Sequence, residues 1–131
     1  MYGNTSDDVG KLILRLALGI MILLHGIGKL VGGIGGIEGM LQGAGLPGIL
    51  AYGVYIGEIV APIMVIIGLF ARVGAGIIFV NMLFAIVLAH SSEIFALTNN
   101  FGWAIELQGM YLFAALALML MGPGRFAINQ R

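Results

Sequence analysis

Four long apolar runs, residues 12–31, 49–70, 73–89 and 104–121, constrain this chain more than any other feature. Crossing the hydrocarbon of a bilayer takes roughly 20 apolar residues in a helix. Lipid offers the backbone no hydrogen-bond partners, so each run has to satisfy its own N–H and C=O groups as a helix. Only 9% of the 131 residues are charged and 60% are hydrophobic, with a mean hydropathy of +1.08. A soluble domain carries about a quarter of its residues charged. The expected fold is all-α: a single domain built as a bundle of four transmembrane helices.

The same composition excludes several functions. A formal net charge of zero with no basic cluster leaves no electrostatic footprint for nucleic acid. There is no cysteine, so disulfides, thiolate metal sites and dithiol redox chemistry are ruled out. The first run is expected to be retained and not cleaved as a signal peptide, because Asp7 and Asp8 precede it, it is long, and no small-residue cleavage site follows. GAGLPG, residues 43–48, fits the GxGxxG pattern formally, but that pattern binds dinucleotides only between a strand and a helix.

Four spans put both termini on one side. That side, with a turn expected at 71–72, collects Lys11, Arg15, Arg72, Arg125 and Arg131, while the other has Lys29 against Glu38, Glu93 and Glu106. The positive-inside rule therefore predicts cytoplasmic termini, with Tyr52 and Trp103 near the outer interface. Residues 32–48 read either as a short amphipathic helix on the outer surface, carrying Ile34, Ile37, Met40 and Leu41 on its apolar stripe, or as an ordered glycine-rich loop. Gly32/Gly36, Gly35/Gly39 and Gly39/Gly43 have the spacing that lets helices approach closely, and Pro47 opens the second span.

Ionisable residues inside the spans carry the functional signal. Arg15, Leu18, Ile22, His25 and Lys29 recur at three- and four-residue intervals and share one helix face. Arg15 and Lys29 lie near the ends, where both can snorkel to the headgroups. His25 lies roughly 9 Å below the outer end of its run at 1.5 Å per residue. The second run carries Tyr52, Tyr55, Glu58 and Pro62 on one stripe, with Glu58 near mid-membrane. A bare carboxylate there costs about 2.5–3.5 kcal/mol even on the lenient insertion scale, so it has to be protonated, paired or beside water.

In the third run Asn81 reads as interhelical hydrogen-bond glue, and His90, beside Ser91, Ser92 and Glu93, as the start of a polar loop. The fourth begins with Glu106, Gln108 and Tyr111. The expected arrangement turns His25 and Lys29 inward toward Glu58 and Glu106, in a polar cluster in the outer half of the bundle. Two readings stand for it. One is a set of salt bridges that fixes helix register, with Arg15, Arg72, Asn81 and Arg125 also structural. The other is a site in which His25, Lys29, Glu58, Glu106 and Tyr55 bind a quinone by its carbonyl oxygens or relay protons. No Glu-x-x-His or His-x-x-x-His pair occurs, so no metal is expected. The eight methionines are scattered and fit flexible packing.

LRLALGIMILLHGIGKL (14–30), GLP (45–47), the long segment 56–90 beginning IGEIVAP, and LMGPGRFAI (120–128) together resemble the DoxX family. The resemblance covers nearly the whole chain. It implies a four-helix protein of the bacterial cytoplasmic membrane in a redox-associated setting. Some relatives are small membrane subunits of thiosulfate:quinone oxidoreductase, and others tie superoxide dismutase and a sulfurtransferase to the bilayer. The family's polar first-span positions fall on His25 and Lys29, its second-span acid on Glu58 and its turn arginine on Arg72. The cysteine-bearing relatives that handle thiols belong to another branch.

The expected function is a membrane subunit that docks or braces partner subunits and takes a quinone at the outer polar cluster, with no intrinsic cofactor evident. The alternatives are a small proton-coupled transporter, homo-oligomeric, with Glu58 as coupling acid, and a purely architectural subunit of a larger membrane assembly.

Overall fold

The computed structural model describes residues 5–33, 35–89, 95–97, 102 and 104–131. His90, Glu93 and Trp103, which the sequence places at the far loop, lie outside the described residues, as does Ile34. Among the described residues the regular elements are all helices: α1 (Thr5–Gly32), α2 (Gly35–Gly43), α3 (Gly48–Ile67), α4 (Ala71–Ala89) and α5 (Glu106–Met121). α1 runs back beyond its apolar stretch, with Asp7 and Asp8 in its first turn and Lys29 in its last, each sign matched to the helix dipole. By length and composition α1, α3 and α4 can cross a bilayer. The 16 residues of α5 reach roughly 24 Å and so fall about one turn short.

The four long helices pack around a core of Leu18, Ile22, Val65, Ile78, Tyr111 and Leu118, with Ala61, Ala75 and Ala115 where backbones come close. Their outward faces stay apolar and exposed, as at Ile13, Leu24, Ile56, Val80 and Phe113. Residues 35–43 form the short amphipathic helix, not the glycine-rich loop. α2 buries Leu41 against Ala51, with Ile37, Tyr55 and Leu88 around it, and so caps the end of the bundle far from the termini.

The glycine pairs in this segment do not act as contact points. A Cβ added at Gly32, Gly35, Gly36, Gly39 or Gly43 would meet open space. Close approach happens instead at Gly19 and Gly26 of α1, Gly57 of α3 and Gly74 of α4, where an added Cβ would strike a neighbouring helix.

The start of α1 and the C-terminal segment lie at the opposite end, where three arginines organise the packing. Arg15 does not snorkel: it is 1% exposed. Its Nε and Nη2 donate to the carbonyls of Val65 and Ile66 at 2.9 Å each, and its Nη1 donates to those of Pro123 at 3.0 Å and Phe126 at 2.8 Å. Val65 and Ile66 belong to the last turn of α3, whose carbonyls have no partner within the helix and carry its partial negative charge. Arg72 does the same for α5, donating to the carbonyls of Met119, Leu120 and Met121 at 3.0, 3.1 and 3.5 Å. Arg125 pairs with buried Asp8 at 3.5 Å and donates to the Thr5 hydroxyl at 2.7 Å.

The turn between α3 and α4 occupies Gly68–Phe70, ahead of the position expected from sequence, because Gly68 at φ +75° ends α3. The C-terminal segment then lies across this turn. Ile128 and Asn129 donate their backbone N–H groups to Ile67 and Gly68, Arg72 donates its own to Arg131, and the Asn129 side chain accepts from Phe70.

Candidate functional site

α3 is a regular α-helix only over its last stretch, Ala61–Ile67. It starts as a 3₁₀ turn over Gly48–Tyr52, makes one α turn, and widens to a π turn over Ile56–Val60 before resuming as α from Ala61. Pro62 supplies a local reason: it has no N–H, so the carbonyl four residues back, that of Glu58, cannot receive its normal α-helical bond. The widened turn carries Glu58 into the bundle, where it is 5% exposed. Single π turns recur at functional positions in helices.

Two glycines bring partners to that carboxylate. Gly26 of α1 lies directly against the Glu58 carbonyl, and Gly57 lies against the side chain of Asn81 on α4. With both approaches allowed, Lys29 Nζ donates to Glu58 Oε1 at 2.5 Å, and Asn81 Nδ2 donates to Oε2 at 3.3 Å. Each carboxylate oxygen thus has a donor, and three helices meet on one acid. The Lys29 side chain keeps 30% of its surface exposed, against 7% for Glu58.

This triad lines a cavity of about 730 Å³, inside the range of small-molecule sites. The walls are mostly apolar, from Ile22, Leu41, Val54, Ile77 and Leu88. The polar groups among the lining residues are His25 and Lys29 of α1, Glu58 of α3, Asn81 of α4, and Gln108 and Tyr111 of α5. Tyr111 is buried, and its hydroxyl lies 3.5 Å from His25 Nε2 with the two rings in edge contact. The imidazole itself is exposed, at a second small opening formed with Met21, Leu24, Gly28 and Tyr111.

The candidate residues therefore divide. Lys29 and Glu58 come together, and His25 reaches the same cavity from its rim and is not enclosed with them. Glu106 does not join: it is exposed in the first turn of α5, on a different face from Gln108 and Tyr111. The turn of about 100° per residue puts Glu106 some 140° from Tyr111. Tyr55 is not among the cavity-lining residues. It packs under α2, and its hydroxyl donates to the Lys29 backbone carbonyl at 3.4 Å.

Asn81, read from sequence as glue alone, holds an oxygen of Glu58 and faces the cavity. Tyr111 and Gln108 join it there, and their three-residue spacing on α5 was the signal available for them. Gly26 and Gly57 had no signal in the chain that set them apart among 22 glycines. No group of three histidines or carboxylates suited to a metal occurs among the described residues.

Four apolar helices packed around a buried carboxylate paired with a lysine, with an amphipathic helix over one end, define a helical integral membrane protein. The chain belongs to the DoxX family, whose model matches residues 10–91. It is also 30% identical over 129 residues to a Bacillus subtilis (strain 168) protein named "Putative oxidoreductase CatD", covering 96% of this chain and 89% of the relative. No solved structure matches it.

Proposed function

We propose that this protein is a membrane subunit of a redox system that holds a quinone head group in the cavity beside Lys29, Glu58 and Asn81. The observation that carries this reading is the cavity's composition: an apolar chamber of about 730 Å³ with hydrogen-bonding side chains contributed by α1, α4 and α5. A quinone ring is flat and apolar with a carbonyl oxygen at each end. Lys29 and Asn81 are donors for one oxygen, and Tyr111 with His25 for the other. Bound there, the ring would supply the electron-carrying chemistry, and the protein would orient it and keep the proton-bearing groups within reach. The relative's name supports a redox setting.

The terminal end favours a ligand site over a through-passage. Arg15, its four carbonyl partners and the C-terminal segment fill that end of the bundle, which weighs against the proton-coupled transporter. The same clamp serves a subunit that braces partners, with the exposed apolar faces as the surfaces for other membrane subunits. In this reading the termini face the cytoplasm of a bacterium and the cavity lies in the outer leaflet, in keeping with the basic residues at the terminal end.

The test is a calorimetric titration of the purified protein with a short-chain benzoquinone. Saturable binding is expected, weakened about tenfold or more by Lys29→Met and by Asn81→Leu, as for lost donors in a buried site. Glu58→Gln keeps the shape and breaks the ion pair, and is expected to weaken binding likewise. If the three variants unfold at lower temperature yet bind as the parent does, the cluster is only a helix staple.

A further inference from the structure

The cavity is longer than a head group needs. From the level of Asn81 it continues as a groove along α4, lined by Val73, Ile77, Val80 and Phe84. These residues recur at intervals of four, three and four, so they form one stripe along the helix. Val73, Val80 and Phe84 are 54%, 52% and 55% exposed, and the stripe is apolar throughout. Its far end passes beneath the short helix α2, through Met40 and Leu50, and its middle opens inward to the buried triad. The groove is therefore continuous with the polar chamber and open to the side, where acyl chains lie around a bilayer-spanning helix.

We infer that this groove takes the polyprenyl tail of the ligand whose ring sits at the triad, so that the site selects long-tailed quinones and loads them sideways from the membrane. The inference rests on the quinone reading above. A tail on the α4 stripe is covered by apolar side chains on one side and by lipid on the other. Val73, Val80 and Phe84 line that stripe from exposed positions, which makes them the residues that decide tail fit.

The experiment compares two ligands in nanodiscs of saturated phosphatidylcholine: a benzoquinone with a polyprenyl tail and the same ring without one. The variants are Val80→Trp and Val73→Trp, which fill the groove from exposed positions, and Ile20→Trp, on an exposed face of α1 away from the cavity. Each ligand is compared between parent and variant, so membrane partitioning cancels. Val80→Trp and Val73→Trp are expected to weaken the tailed quinone about tenfold, as for an apolar pocket blocked by extra bulk, and to leave the tail-less ring unchanged. Ile20→Trp should alter neither. The inference is overturned if the groove variants leave tailed binding as it was, or weaken both ligands equally. If the parent protein binds neither ligand, the head-group reading itself fails, and that result is distinct from the other two.

Discussion

At the scale of single residues, the structure holds the charged side chains of its helices in two ways. Arg15 and Arg72 are neutralised by carbonyl dipoles at the ends of neighbouring helices, whereas Glu58 is held by a lysine and an amide beside a cavity. Arg15→Met removes a cation that four carbonyls bond, and a buried carbonyl left unpaired costs about 1–3 kcal/mol. The variant should lose roughly 3 kcal/mol or more, read as a lower unfolding midpoint in detergent. Gly26→Ala sets a methyl against the Glu58 carbonyl and should cost about 1–3 kcal/mol, as overpacking does. It should also push Lys29 away from Glu58, so quinone binding falls along with stability. Gly28→Ala on the same helix, with open space around it, is the matched control.

At the scale of elements, the irregular first half of α3 decides where the acid points. Pro62→Ala restores an N–H and lets the Ile56–Val60 turn return to α geometry, which rotates the residues before it by about 100°. Binding should drop more than stability, a split that circular dichroism and calorimetry on one preparation would resolve. This element also marks the limit of what could be read from sequence. Period and length made the four helices legible and left 32–48 open between an amphipathic helix and a loop, and the cost of burying a carboxylate singled out Glu58. Its partners were harder. A helical wheel assumes regular geometry, so it could not show that a π turn at Glu58 and two glycine contacts bring Asn81 onto the acid. Glu106 was grouped by depth alone, and depth says nothing of azimuth. Arg15 lies near the end of its run, which by itself points to the headgroups; its partners are residues about 50 and 110 positions away, a pairing that spacing along one helix cannot reveal.

At the scale of the whole molecule, the two ends differ in kind. The terminal end is tied by the Arg15 clamp, the Arg72 cap and the Asp8–Arg125 pair, and the far end holds the cavity under α2. Deleting residues 122–131 removes two of the four Arg15 acceptors and the contacts across the α3–α4 turn. The unfolding midpoint should fall by several degrees or more, at the few degrees per kcal/mol usual for a chain of this size. A purely architectural subunit would show that loss and nothing else, so the cavity has to be probed directly. Photolabelling with an azido-quinone, mapped by mass spectrometry on protein purified from its own membrane, does so. The account predicts label on cavity residues of α1, α4 and α5 around Lys29, Asn81 and Tyr111, competed by unlabelled quinone and lost in Lys29→Met. Label spread over the outward faces, or unchanged by that substitution, would contradict it.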